Sequence, residues 1–143
     1  MLDEPYKEKL DVVLASMNWT IQLPARLADF FSVRGDSQIA EHEERKHIRI
    51  RARAKCAGLF VSTLTCLERD SKCIPVYTSD FSRGGCGFLS SIQIYPTERI
   101  RLMLPNFWLQ LEIVRCRKLG PKCYEVGSVL LAKNQPDPAA FEL

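Results

Sequence analysis

Residues 48–56 read IRIRARAKC, and their period decides the class of fold. Ile48, Ile50, Ala52, Ala54 and Cys56 alternate with Arg49, Arg51, Arg53 and Lys55. Successive side chains of a strand point to opposite faces, so this stretch predicts a half-buried β-strand with a basic outer face. Upstream the period is helical. Leu10, Val13, Leu14 and Met17 stand at i, i+3, i+4 and i+7, one face of a helix over 5–17. A second short helix is expected after Pro24, with Leu23, Leu27, Phe30 and Phe31 on one side. Arg34-Gly35-Asp36 ends it, glycine being the usual helix stop. Residues 34–47 (RGDSQIAEHEERKH) are polar, a linker or an exposed helical extension.

Downstream, strand-like runs recur at 58–66, 73–79, 85–92, 98–104, 107–117 and 123–132. The breaks between them fall at 69–71, 80–84, 95–97, 105–106 and 119–122, rich in Gly, Pro, Asp and Asn. Short strands at this spacing predict an antiparallel barrel or sandwich, and closing the sheet removes its exposed edges. The expected architecture is mainly β: a small antiparallel barrel of six to seven strands with a short helical N-terminal extension. The chain divides into an acidic extension (1–44), a barrel domain (45–133) and a tail (134–143) whose prolines predict an irregular surface path.

The bulk numbers exclude several classes. With 46% hydrophobic and 26% charged residues, the 143-residue chain has the composition of one soluble domain, able to bury a core without metal or disulfide. No apolar run is long enough for a membrane helix, and MLDEPYKEKLD lacks the basic start and apolar stretch of a signal peptide. A cytoplasmic protein without membrane insertion is therefore expected. The six cysteines form no C-x-x-C pair, and both histidines precede them, so zinc spacing is absent and the thiols are expected to be buried or half-buried. Charge is split. Residues 1–44 carry four basic and nine acidic side chains, whereas 45–143 carry sixteen basic and eight acidic, so the second part should attract anions.

Motifs for catalysis are missing. No Walker A, HExxH or GxGxxG sequence occurs, His42 and His47 lack a nucleophile context, and Glu43-Glu44 lies on a polar stretch. An enzyme is not expected, nor a metal or a cofactor. What remains is a pair of short patterns. Arg45-Lys46-His47-Ile48-Arg49 opens the basic part, and Asp80-Phe81-Ser82-Arg83-Gly84-Gly85 follows later in the chain. An R-x-x-x-R is common in an Arg-rich chain, since Arg49 and Arg53 also match. D-x-S-x-x-G is rarer.

In this order, ahead of a basic small barrel, the two patterns resemble the PilZ domain, the bacterial receptor module for cyclic di-GMP. Gly85-Cys86-Gly87-Phe88-Leu89, Arg99–Leu104, Leu111–Arg117 and Tyr124–Gly127 follow the family's succession, so the likeness covers about 45–133. The family's C-terminal helix has no counterpart in 134–143, and 1–44 matches nothing in it. The resemblance implies a split-barrel fold and a cyclic di-GMP receptor that relays this second messenger to a protein partner in motility, adhesion or secretion. It also implies contacts from Arg45 and Arg49 to guanine and phosphate, and from Asp80, Ser82 and Gly85 to the ligand. In this reading the segment around 44–49 wraps the ligand and the N-terminal part changes its angle to the barrel.

These residue types suit such a ligand on chemical grounds. A guanidinium forks onto guanine O6 and N7, binds phosphate bidentately or stacks on a base. A carboxylate accepts from the guanine N1–H and N2–H₂ donors, a serine adds a hydroxyl, and glycine admits close backbone approach. Arg51, Arg53, Arg83, Arg115 and Arg117 read as outer-face charges rather than ligands, and Phe107 and Trp108 as packing. Two rivals stand beside this reading. One is a PilZ-like adaptor that binds only protein, its motif vestigial; a homodimer is an open alternative within the main reading. The other is a small nucleic-acid-binding barrel, disfavoured because no strand face pairs stacking aromatics with basic neighbours.

Overall fold

Six strands close into an antiparallel barrel, and one helix packs outside it, in a computed structural model that describes residues 3–28, 30–32, 35–36, 50–51, 53–69 and 72–142. Helix α1 is Asp3–Ser16, followed by 3-10 turns at Ala25–Leu27 and Phe30–Ser32. The strands are β1 (Gly35–Asp36), β2 (Ile50–Arg51), β3 (Lys55–Ser62), β4 (Ile74–Ser82), β5 (Gly85–Ser90), β6 (Arg99–Leu104), β7 (Phe107–Gly120) and β8 (Cys123–Asn134). Around the barrel the order is β4-β3-β6-β7-β8-β5, and β5 pairs back onto β4. The fold is thus the small antiparallel barrel that the strand spacing predicts. Among the described residues no helix is long and apolar enough to cross a membrane.

The alternating stretch behaves differently from its pattern. Among its described residues, Ile50–Arg51 form one strand, pairing with β4 at Phe81 and Asp80, while β3 begins at Lys55 and pairs with β4 from Tyr77 onward. The end of the first expected strand, 48–56, and the start of the second, 58–66, join in the single strand β3. Cys56 to Phe60 are buried without alternation. The reason is that both faces of β3 are covered. Cys56 and Phe60 point into the barrel core with Val76, Phe88, Ile100, Leu102, Leu111 and Val126, while Ala57 and Leu59 point outward under α1.

Helix α1 buries the face its spacing predicts, with Leu10 fully buried and Val13, Leu14 and Met17 packed beside it. Tyr6, one turn before Leu10, is also fully buried. Its hydroxyl donates to the Leu104 and Phe107 carbonyls, at 2.5 and 3.0 Å, which flank the β6–β7 turn. Burial raises the phenol pKa, so it stays a donor. Tyr6→Phe is expected to cost about 1 kcal/mol, seen as a melting temperature a few degrees lower. An unchanged melting curve would show that this bond contributes nothing net.

The tail is irregular at 135–137 and then packs on the barrel. Pro138–Phe141 forms a 3-10 turn, Ala140 is buried beside Tyr6, and Arg101 donates to the carbonyls of Ala139, Ala140 and Glu142. A second outer face is covered by 19–28 and 30–31. There Trp19 stacks on Tyr77 at 5.7 Å, and Ile21, Leu23, Leu27, Phe30 and Phe31 pack with Tyr77, Leu89 and Cys123. The expected second helix is therefore two single turns, held by the barrel rather than by helical propensity. All six cysteines are free; Cys56, Cys86 and Cys123 are buried, Cys73 and Cys116 half-buried, and Cys66 exposed.

Candidate functional site

Sequence composition marked 80–84 as a turn, but β4 runs through Ser82, and Arg83-Gly84 alone make the hairpin connection. Asp80 and Ser82 are strand residues. Which way they point is set by an irregularity. Thr78 pairs with Phe88, yet Asp80 pairs with Gly87, so Ser79 is an extra residue in β4. Thr78 is buried toward the core, and strict alternation would send Asp80 there too. The bulge turns it outward, a usual role of bulges beside functional sites.

The same device recurs on the opposite side. In β7, Ile113 pairs with Ser128 and Arg115 with Gly127, which leaves Val114 as the extra residue. Ile113 is core, and without the bulge Arg115 would face inward. Two bulges thus place Asp80 and Arg115 in one outward row, Asp80–Gly87–Gly127–Arg115, across β4, β5, β8 and β7. The adjacent row is Ser82–Gly85–Val129–Glu112.

The glycines of this row make room for the charged ends. A Cβ on Gly87 would collide with Asp80 Oδ1, and one on Gly127 would meet Arg115 Cγ, Nε and Cζ at 3.0 to 3.1 Å. Both charged side chains therefore lean over the glycine floor toward each other. A Cβ on Gly85 would strike the Ser128 carbonyl oxygen, so that glycine is required by the close approach of β5 to β8. Below the floor, Ser128 Oγ donates to the Cys86 carbonyl at 2.7 Å. Burial, with Cys56 and Asp80 adding to it, pushes the Cys86 thiol pKa well up, so it is a neutral core residue and not a nucleophile.

Above the floor lies a cleft of about 220 Å³ lined by Asp80, Ser82, Gly85, Gly87, Arg115 and Val129 among others. That is below the usual volume of a whole small-molecule site and suits one flat ring system. Val114 and Val129, 49% and 41% exposed, give its rim two apolar contacts. Among the described residues, none of α1 or of the segment that packs on Tyr77 lines the cleft.

Of the five residues singled out in the sequence, Asp80, Ser82 and Gly85 come together here. Arg45 and Arg49 lie outside the described residues. The strand that follows them, β2, sets Arg51 opposite Asp80 in register. Sequence reasoning missed Gly87, Gly127 and Arg115. The signal was present: an isolated glycine inside a strand marks a bulge or a close approach, and both GCGF and EVGSV carry one. Among the described residues no group of His, Cys, Asp and Glu could hold a metal ion. Compared with known proteins, the chain matches no family model, no curated protein and no solved structure.

Proposed function

We propose that this barrel is a cyclic di-GMP receptor of the PilZ kind, which carries out no chemistry and relays ligand occupancy to a protein partner in the bacterial cytoplasm. One observation carries the reading: Asp80, Ser82 and Gly85, chosen as half of a guanine site, line one outward cleft with a flat glycine floor. A guanine laid on that floor offers its N1–H and N2–H₂ donors to Asp80, and Ser82 adds a hydroxyl contact. Arg45 and Arg49, which precede β2 in the chain, take the phosphates and the second guanine of the dinucleotide.

A route for the relay starts beside the cleft. Arg53, in the connector between β2 and β3, donates from Nη1 to the Phe30 carbonyl at 3.1 Å, and its guanidinium lies 4.3 Å from the Phe30 ring centroid. The N-terminal segment is thus tied to the chain that leads away from the arginine motif. A ligand that orders this chain differently changes how the segment docks, provided it binds one arrangement better than the other.

Calorimetric titration of the whole chain with cyclic di-GMP tests the reading. Saturable binding, weakened in Arg49→Ala, is the expected result; no heat and no thermal shift at millimolar ligand would remove it. Gly87→Ala provides a second check. Its Cβ must displace the Asp80 carboxylate, so affinity should fall about tenfold, one lost hydrogen bond to a charged group, with the barrel still folded. Unaltered affinity in that variant would mean that Asp80 does not contact the ligand from its present position.

A further inference from the structure

Arg115 stands within a barrel strand, yet it has no acceptor of its own. Arg69, Arg99 and Arg117 are paired with Glu98, Glu112 and Glu125, and Arg101 holds the tail carbonyls. Among the described residues, no hydrogen bond or ion pair reaches Arg115. A bulge spends a register step to aim it outward, and Gly127 leaves the space in which its guanidinium lies. It lines the same cleft as Asp80, from the far wall.

Asp80 Oδ1 stands over Gly87, the Arg115 guanidinium over Gly127, and these glycines are paired neighbours on β5 and β8. A carboxylate and a guanidinium thus stand side by side along one row of the floor. Guanine presents N1 and N2 donors along one edge and O6 and N7 acceptors along the next. The two groups match those two edges in order.

We infer that Arg115 is a specificity-determining residue of this site, taking the O6 and N7 acceptors of the guanine whose N1 and N2 donors go to Asp80. The inference rests on the cyclic di-GMP reading and extends it to a residue outside both sequence motifs. Val114 and Val129 then flank the base. An adenine in the same place would turn its N6 amino group toward the guanidinium and its N1 acceptor toward the carboxylate, two mismatches at once.

The experiment is titration of the whole chain with cyclic di-GMP and cyclic di-AMP, in wild type, Asp80→Ala, Arg115→Ala, Arg115→Lys and Arg117→Ala. Arg115→Ala should weaken cyclic di-GMP about 5- to 150-fold, the range commanded by a bidentate Arg–guanine pair. Its preference over cyclic di-AMP should narrow. Lysine should not restore affinity, because an ammonium cannot fork onto two acceptors. Arg117→Ala, whose partner is Glu125, should behave as wild type. Full rescue by lysine, equal losses for both dinucleotides, or an equal loss in Arg117→Ala would each overturn the base-reading role in favour of general charge. Arg115→Ala binding as wild type while Asp80→Ala is impaired would overturn it and leave the receptor reading standing. A wild-type protein that binds no cyclic di-GMP would remove both.

Discussion

Asp80→Ala is expected to weaken cyclic di-GMP binding about 100-fold or more, with the barrel still folded. Among the described residues, the carboxylate is the only acceptor-only side chain lining the cleft. A guanine edge brings it two N–H donors, and a hydrogen bond to a charged group is worth about 1.5–3 kcal/mol. Asp80 is half-buried rather than sealed, so the lower end of that range applies to each bond. The two together amount to about 3 kcal/mol, roughly two decades in Kd. Asp80→Asn should fall between, because the amide keeps one acceptor oxygen but presents donors to donors. Calorimetry with all three proteins measures the series, and equal affinities across it would remove Asp80 from the site.

The largest expected effect on stability lies away from the cleft. Arg69→Met should destabilise the fold by about 3–5 kcal/mol, the usual cost of stripping the partner from a buried ion. Glu98 is fully buried, and Arg69 binds it twice, Nε to Oε2 at 3.0 Å and Nη2 to Oε1 at 2.7 Å. The same guanidinium donates to the Gln93 carbonyl and stacks over Phe60 at 4.5 Å. Glu98 Oε1 also accepts from the Tyr95 amide. The pair therefore pins 93–98, the connection between β5 and β6, onto the barrel. Methionine keeps the aliphatic contact with Phe60 and leaves the carboxylate in a dry site. A drop of about 10 °C or more in melting temperature is expected. The double variant Arg69→Met/Glu98→Gln should recover part of it, since no charge is then buried alone. Equal melting temperatures for wild type and Arg69→Met would show that water reaches Glu98 as the barrel relaxes.

Much of the barrel was legible in the chain because its hairpins are punctuated locally. Pro105-Asn106 and Pro121-Lys122 occupy the two-residue turns they suggest, and Lys122 takes a positive φ of 52°. The helical face of 5–17 was legible for the same reason, since Leu10, Val13, Leu14 and Met17 meet one surface only. Alternation failed where a strand has two partners. On β3 the inner face meets the barrel core and the outer face meets α1, so period two vanishes. Tyr6 was invisible as a buried donor because its acceptors, the Leu104 and Phe107 carbonyls, lie about a hundred positions away.

The candidate site divides along the same line. Local sequence determined that Asp80, Ser82 and Gly85 belong together, as residues of one strand end and its hairpin, with spacing fixed by covalent geometry. Only the tertiary structure decided that they face outward and what stands opposite them. Two unpaired residues, Ser79 and Val114, shift the register of β4 and β7 against their neighbours. A bulge is defined by the partner strand, so it leaves no mark in the strand that carries it. Closure of the sheet then brings Gly127 and Arg115 beside Gly87 and Asp80. A chain read in one dimension cannot specify that meeting, because pairing across a barrel is settled by the packing of its interior.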